Sequence, residues 1–299
     1  MIAYFTMPLV VLLNGAEIFI LERRRKKKGF ARLLLSLSTV ELLRAIVSLL
    51  MIIAIQVLKD WYTTQILISW AFLAEFSRIS STFHLIFITF DRLWAISFPF
   101  NHIVYCTTRK VTIVATICWV CPLLVIAGHI WNIYTNGLTL QQVINYIFQE
   151  ISFNVSITML TGNIILIICY ATIGYIIFYK SNADRCNSEQ KRHYKSLILC
   201  ISIVATFLIS TTPYIVLYLF QWSRPLWLVA LGQNTFAFNS SVNSILFLLQ
   251  SYHSWKDKRR KKKKTVTDSG RGNTVRISLG TSERERKQCS TRNKETRLL

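Results

Sequence analysis

The sequence Asp-Arg-Leu-Trp-Ala occupies residues 91–95, at the end of a long apolar stretch that also contains Arg78 and Ser81. Apolar residues dominate from 64 to 96, which predicts one long helix that crosses a membrane. Arg78 and Arg92 are fourteen residues apart. They therefore lie on one stripe of that helix, about 21 Å apart at a rise of about 1.5 Å per residue. Charged side chains are costly in lipid, so each is a candidate functional residue.

Seven stretches of this kind predict an all-α membrane protein, a seven-helix transmembrane bundle. The chain has 299 residues, 52% of them hydrophobic, and a mean hydropathy of +0.39, which is more apolar than a soluble domain of this size requires. A helix crosses a bilayer with about 20 mostly apolar residues, because its internal hydrogen bonds satisfy the backbone in lipid. The predicted spans are residues 2–21, 31–58, 64–96, 111–131, 147–179, 194–220 and 226–250.

Basic residues are distributed unequally between the two sides of the predicted bundle. Residues 23–28 are all Lys or Arg, and the tail at 256–299 carries 16 Lys and Arg against five Asp and Glu. The loops on the opposite side have almost none, so the positive-inside rule predicts an outer N-terminus and a cytosolic tail. The net charge of +21 then predicts attraction to anionic lipids. Nucleic-acid binding is not expected, because apolar helices separate the basic segments.

The chain divides into a transmembrane domain at 1–255 and a basic cytosolic tail at 256–299. Leu248, Tyr252 and Trp255 recur at helical spacing and predict a short amphipathic helix on the inner leaflet, and the polar tail is expected to be disordered. No cysteine falls in a predicted outer loop, so we expect no structural disulfide. We find no zinc-ligand spacing, phosphate-binding glycine loop or nucleophile motif, and no cytosolic domain of adequate size for an enzyme.

Ionisable residues also occur inside the predicted spans, and helical spacing pairs several of them. Glu41 and Arg44 are three residues apart, as are Glu75 and Arg78, so each acid can form an ion pair with its base. Such local pairs neutralise charge for insertion into lipid. The full set is Glu17, Glu41, Arg44, Glu75, Arg78, Asp91 and Arg92.

The polar residues and prolines of the spans occur in an order that resembles the rhodopsin-like (class A) G protein-coupled receptors. Each position is weak evidence alone, but their joint order and spacing across seven spans are specific. In chain order they are Asn14, Glu41 at the end of the motif at 37–41, Asp91-Arg92 followed by Pro99, Trp119, Tyr170, Phe207, Pro213, Asn239-Ser240, and Asn243 with Phe247.

The resemblance implies a two-state receptor whose partners are an extracellular ligand of unknown identity and a heterotrimeric G protein. In the resting state Asp91 holds Arg92, and on activation the sixth span swings outward and Arg92 turns toward the G protein near Tyr170. Arginine suits this role because it stays charged and forms several directed hydrogen bonds. The switch residues that the resemblance implies are Asp91, Arg92, Tyr170, Phe207, Pro213, Asn243 and Phe247.

The resemblance also implies a central ion or polar core site. We expect no cofactor, and sodium is a candidate ion for this site. Its residues all carry oxygen or amide groups, and oxygen is the ligand that a hard cation requires. Glu41 stands where the family has Asp, and Arg44 is close by, so a proton or a salt bridge to Arg44 is the alternative to sodium at Glu41 and Ser81. The candidate site consists of Asn14, Glu41, Ser81, Asn239, Ser240 and Asn243.

Several positions depart from the family and point to a divergent, plausibly chemosensory receptor. Thr211 replaces the sixth-span tryptophan, and Ala74 stands where amine receptors carry an acid, so a monoamine ligand is not expected. Glu75, Arg78 and Thr211 form the candidate ligand pocket. A free Arg78 would attract a carboxylate or phosphate, whereas pairing with Glu75 would remove that attraction.

The expected function is therefore a multi-pass plasma-membrane receptor that couples to a G protein. Hydroxyl residues among the basic residues of the tail are candidate kinase sites, and their phosphorylation would weaken lipid binding and recruit arrestin. A receptor-like protein that no longer signals and a transporter or channel are the alternatives. Against a transporter, the sequence shows no paired half-helices and no repeat symmetry between its two halves.

Overall fold

The computed structural model describes residues 2–24, 29–57, 63–183, 188–219, 238–249 and 251–252. Within these ranges the chain is helical apart from short connections. The helices are α1 (Ile2–Arg24), α2 (Gly29–Val57), α3 (Thr63–Ser97), α4 (Pro99–Tyr105), α5 (Thr108–Thr135), α6 (Leu140–Tyr146), α7 (Ser152–Ala183), α8 (Ser188–Leu219) and α9 (Phe238–Leu249), and a π-helical turn, Ile147–Ile151, joins α6 to α7.

Each of the first six predicted spans coincides with a helix, and the described part of the seventh, Phe238–Leu249, is helical. Five segments are long and apolar enough to cross a membrane by themselves. The helix α1 has 23 residues, and α9 covers the second half of the seventh predicted span. The predicted amphipathic helix lies outside the described residues except for Leu248 and Tyr252, as does the whole tail at 256–299. The five segments are Ala31–Ala54, Ile68–Ser97, Thr108–Thr135, Leu140–Ile177 and Ile201–Leu219.

The helix α3 lies at the centre of the described bundle, and α5 lies at its periphery. In α3, 67% of the most apolar window is buried, against 22% in α5. The helix α3 contacts α2, α5, α7 and α8, whereas α5 exposes Ile113, Ile117 and Leu124. Large apolar side chains on an outer surface are stable against lipid, so this arrangement fits a membrane bundle.

Two short helices, α4 and α6, were not predicted from the sequence. Pro99 begins α4, where a missing N–H costs nothing because the first turn has no partner for it. Thr107 caps α5 by accepting a hydrogen bond from the backbone of Lys110. The turn before α6 contains Gly137 at φ +56°, a left-handed conformation that favours glycine. Pro99 and Thr107 thus mark where α4 and α5 begin, and only short connections separate α3, α4 and α5.

Close contact between α3 and α7 depends on Gly162. A methyl group at this position would collide with the side chain of Thr82 on α3. Small residues allow helix backbones to approach closely in membranes, where van der Waals contact drives helix association. Gly162 therefore sets the distance between the central helix and its neighbour.

Candidate functional site

The acid and base of residues 91–92 form an ion pair at the end of α3. Arg92 Nη2 donates a hydrogen bond to Asp91 Oδ2 over 2.8 Å, and the side chains are 16% and 9% exposed. The other oxygen, Oδ1, faces α4 and lies 2.9 Å from His102 Nε2. It also accepts a hydrogen bond from Cys106 Sγ at 3.3 Å. One carboxylate therefore holds both the Arg92 guanidinium and the short helix that follows.

Cys106 ends α4 and lies outside the candidate membrane spans. Burial and the nearby charge of Asp91 raise the pKa of its thiol to about 11. The thiol is therefore protonated near neutral pH and acts as a donor to Asp91. A nucleophilic role is not favoured, because the thiolate is the reactive form.

A second polar group is buried between α1 and α9. Asn14 Nδ2 donates to Ser240 Oγ at 2.9 Å. Ser244 Oγ lies 2.7 Å from Glu17 Oε2 and 3.1 Å from Asn14 Oδ1, and its single hydrogen is shared between these two acceptors. Glu17 is buried, yet in the part of the chain that the structure describes it forms no ion pair. These hydrogen bonds join the first and seventh spans, as the expected positions of Asn14 and Ser240 require.

Glu41 lies in the same polar core, between α2 and α3. Ser81 Oγ donates to Glu41 Oε1 at 2.6 Å, and Arg44 Nη2 lies 3.0 Å from Oε2. The predicted pairing of Glu41 with Arg44 is therefore confirmed. Both carboxylate oxygens are engaged, and Arg44 supplies the positive charge that a bound cation would otherwise provide.

Two further members of the expected ion site, Asn239 and Asn243, lie on α9. Each has a buried Oδ1 atom for which no described residue provides a hydrogen-bond donor. Buried amide oxygens usually have a partner, so these two atoms are acceptors available to an ion or a water molecule. The donor set thus fits a cation only in part, because the acid of the site is already balanced by Arg44.

A third buried group joins α3, α7 and α8. Arg78 Nη1 lies 2.6 Å from Glu75 Oε1, and the side chains are 1% and 4% exposed. The Tyr214 hydroxyl lies 3.0 Å from each carboxylate oxygen of Glu75, and its ring centroid lies 4.4 Å from the Arg78 guanidinium carbon. Ser152 Oγ donates to Glu75 Oε1 at 3.2 Å. The predicted pairing of Glu75 with Arg78 is confirmed, and it is part of a larger network than the sequence indicated.

Thr211, the third member of the candidate ligand pocket, lies about one helical turn before Tyr214. It is fully buried, and its hydroxyl accepts a hydrogen bond from Asn163 Nδ2 at 3.0 Å. Glu75 and Arg78 are also buried, so all three residues lie in packed interior. In the described part of the chain, a groove away from these three residues lies between α2 and α3, and it is lined mainly by apolar residues such as Leu50.

The remaining switch residues lie in or beside the apolar core. Phe207 on α8 and Phe247 on α9 are buried in one apolar cluster, and Tyr170 on α7 packs against it. Pro213 lies inside α8, where it removes a backbone hydrogen bond and favours a kink. The structure therefore brings together side chains from the fifth, sixth and seventh predicted spans.

A hydrogen-bonded relay around the buried His84, which the sequence reasoning missed, connects α2, α3 and α5. Trp119 Nε1 donates to Ser36 Oγ at 2.9 Å, and Ser36 Oγ lies 2.8 Å from His84 Nε2. His84 Nδ1 lies 2.8 Å from the carbonyl oxygen of Ser80. A carbonyl only accepts, so Nδ1 carries the proton and Nε2 accepts from Ser36. The polarity of His84 within an apolar span was the one sequence signal for it.

The comparison with known proteins agrees with this arrangement of helices and buried polar groups. Residues 14–252, well over half of the chain, match the family described as 7 transmembrane receptor (rhodopsin family). The chain belongs to the rhodopsin family of seven-transmembrane receptors. No curated protein matches this receptor significantly. It is thus a membrane protein with a seven-helix bundle, and its general role is signal transduction.

His102, Cys106 and Tyr214 are among the residues of the receptor's polar networks that had no role in the sequence prediction. His102 is eleven residues beyond Asp91, and Tyr214 is 139 residues beyond Glu75. Each pair lies on two different helices, so helical spacing could not indicate either contact. The only available signal was the presence of a histidine and a cysteine soon after the Asp-Arg motif.

Proposed function

We propose that this receptor transmits the binding of an extracellular ligand to a heterotrimeric G protein, with Arg92 as the residue that changes partner. The observation that carries the proposal is the ion pair between Arg92 and Asp91 at the predicted cytosolic end of α3. Arg92 is buried enough to need a partner and exposed enough to be reached from the cytosol. Release from Asp91 would present a guanidinium to the G protein.

The helix α3 supports a mechanical link between the two faces of the membrane. Arg78 lies in the first half of this helix, on the predicted outer side. Ser81 lies in the polar core, and Arg92 lies near the inner end. A ligand that shifts the outer network displaces the same helix that holds the switch. Such a ligand acts by binding one of two arrangements more tightly than the other. The family membership supports this class of mechanism.

The ligand is more plausibly recognised by shape and neutral hydrogen bonding than by a free cation. Glu75 already holds Arg78 at 2.6 Å, and both side chains are buried. A carboxylate or phosphate ligand would have to displace Glu75 from Arg78, which would leave the Glu75 carboxylate without its cation. The pairing therefore favours a neutral small organic ligand over an anionic one.

At the polar core we propose that Arg44 replaces sodium as the positive charge opposite Glu41. The salt bridge of 3.0 Å supports this reading, because a permanent cation and a sodium ion would repel each other at one carboxylate. Asn239 and Asn243 retain acceptors that a water molecule fits equally well.

The plasma membrane is the proposed location, since an extracellular ligand must reach the outer face. We also propose that the basic tail at 256–299 binds anionic lipid, and that its hydroxyl residues are sites for kinases whose products recruit arrestin. This rests on the sequence of the tail, which lies outside the described residues.

Nucleotide exchange on a panel of purified G proteins tests the proposal. The receptor is compared with Arg92→Ala and Arg92→Glu at equal surface expression, first without ligand and then with a small-molecule library. Arg109→Ala is the matched control, because Arg109 is an exposed arginine near the same face. We expect exchange to fall about tenfold or more in both Arg92 variants, within the usual range of coupling between sites, and to persist in the control. Equal exchange in all four proteins would favour a receptor that no longer signals.

A further inference from the structure

Three metal-binding side chains converge beside the Arg92 switch. Asp91, His102 and Cys106 each offer one ligand atom, and these atoms all lie within 4.8 Å of one another. His102 Nε2 lies 2.9 Å from Asp91 Oδ1, and Cys106 Sγ lies 3.3 Å from the same oxygen. Asp91 comes from the end of α3, His102 from α4, and Cys106 from the residue that ends α4. No other group of this kind occurs in the ranges that the structure describes.

The chemistry of these ligands is that of zinc. A carboxylate oxygen, an imidazole nitrogen and a thiolate sulfur are its usual protein ligands, and three of them with one water complete a tetrahedral site. Calcium and magnesium require oxygen ligands alone, so a set with one sulfur and one nitrogen does not fit them.

The distances are close to those that zinc requires. Tetrahedral bonds of about 2.0 Å to oxygen and nitrogen and about 2.3 Å to sulfur place neighbouring ligand atoms about 3.3–3.6 Å apart. The two distances to Asp91 Oδ1 are 2.9 Å and 3.3 Å. Each of these two distances has to open by only a few tenths of an ångström. The third pair, His102 Nε2 and Cys106 Sγ, lies within 4.8 Å and has to come to about 3.6 Å around the ion.

We propose that Asp91, His102 and Cys106 form a zinc site on the cytosolic face, and that the bound ion releases Arg92 from Asp91. Metal binding stands on the geometry alone. Its effect on signalling rests on the proposed function, in which freed Arg92 engages the G protein.

The charge balance explains the release. Zinc binds as a dication through His102 Nε2, which carries a proton toward Asp91 Oδ1 before the ion binds. Exchange with solvent moves that ring proton to Nδ1, and Cys106 loses its thiol proton to solvent. The new bonds are Zn–O, Zn–N and Zn–S, and no group is oxidised or reduced. The two charges of zinc are then balanced by Asp91 and the Cys106 thiolate. Arg92 faces a carboxylate whose charge is already neutralised, so the attraction that holds it is largely lost.

The position of the site allows zinc to enter without unfolding. The side chain of His102 is 22% exposed and that of Asp91 9% exposed, and both lie at the end of the bundle. The two carboxylates of the spans that form ion pairs, Glu41 and Glu75, are held by Arg44 and Arg78 and lie deeper. The cluster at Asp91 is thus the one charged network with ligands of three types and access to solvent among the described residues.

Binding of Co²⁺ to the purified full-length receptor tests the site directly. Tetrahedral Co²⁺ with a thiolate ligand has intense visible bands and a sulfur-to-metal charge-transfer band, and Zn²⁺ displaces it. The variants are His102→Ala and Cys106→Ser. Their matched controls are His129→Ala and Cys121→Ser, which change a histidine and a cysteine on another helix, α5.

We expect one tightly bound Co²⁺ with the thiolate band in the native receptor and in both controls. Cys106→Ser should lose the charge-transfer band, and both site variants should bind at least about tenfold more weakly, since even the loss of a group that orients a ligand costs about 10–100-fold. A spectrum without a thiolate band, or equal affinity in all five proteins, would overturn the site.

Nucleotide exchange with and without Zn²⁺ tests the regulatory half. We expect zinc to raise exchange by the native receptor about fivefold or more, within the range of allosteric coupling, and to have no effect on Cys106→Ser. If exchange is measurable but zinc does not change it, the release of Arg92 is refuted. If no G protein responds under any condition while the cobalt spectrum is as expected, the zinc site stands and the proposed function fails.

Discussion

The buried ion pair of Glu75 and Arg78 makes a quantitative prediction about stability. Arg78→Met removes the cation and leaves the carboxylate of Glu75 buried with only the hydroxyls of Tyr214 and Ser152. Removing one partner of a buried pair costs about 3–5 kcal/mol, because the remaining charge is uncompensated. Glu75→Gln alone should cost a similar amount, partly offset by the contact of Arg78 with the Tyr214 ring.

The double variant Glu75→Gln with Arg78→Met should regain most of this loss. It contains no buried charge at positions 75 and 78, and the amide oxygen of Gln still accepts from Tyr214 and Ser152. Replacing both members of a buried pair by neutral residues of similar volume is often nearly neutral. We therefore expect the double variant to lie within about 1–2 kcal/mol of the native receptor, a coupling of several kcal/mol in the double-mutant cycle.

Thermal unfolding in detergent measures the effect through a thiol-reactive fluorogenic dye. Half-buried thiols such as Cys106 and Cys121 contribute to the baseline, and the rise on heating follows the exposure of buried thiols such as Cys118. One kcal/mol shifts Tm by about 2–4 °C in chains of about 150–250 residues, so each single variant should lose about 6–20 °C. All proteins are heated at one rate, since unfolding of such proteins is often irreversible. A double variant as unstable as the sum of the single variants would show that the two residues do not act as a pair.

Two further predictions concern the polar core and the packing of α7. The native receptor should show the same Tm in sodium chloride and in potassium chloride, because Arg44 balances the charge of Glu41. The Arg44→Met variant should be stabilised by sodium and not by potassium. Stabilisation of the native receptor by sodium alone would contradict the proposed salt bridge. Gly162→Ala should cost about 1–3 kcal/mol in thermal unfolding, because its methyl group collides with Thr82, and Thr82→Ser should recover part of the loss. The control Gly174→Ala, where nothing lies within 4 Å, should stabilise by up to about 1 kcal/mol, and equal losses at both glycines would refute the steric explanation.

The sequence predicted features that act along a single helix. Runs of apolar residues located the first six spans and the described part of the seventh, because length and polarity decide whether a helix is stable in lipid. The pairs Glu41 with Arg44 and Glu75 with Arg78 were predicted correctly, because residues three apart are neighbours on any helix. The family resemblance rested on single residues at fixed positions within such helices.

The features that the sequence did not predict join residues on different helices. Tyr214 reaches Glu75 across 139 positions, and Trp119 reaches Ser36 across 83. Each contact depends on how far one helix is rotated and shifted against another, and apolar faces of similar composition permit several such arrangements. The short helix α4 was missed for a related reason, since seven residues carry too little periodicity to identify it.

The sequence by itself therefore determined that the chain is a seven-span receptor of the rhodopsin family, and which of its residues carry charge within the membrane. Only the tertiary structure decided which groups several of those charges meet: Glu17 with Ser244, Glu75 with Tyr214, and Asp91 with His102. The physical reason is that helix formation and insertion depend on local composition. The partners of a buried charge depend instead on close packing between helices, which is set by the shapes of side chains far apart in the chain.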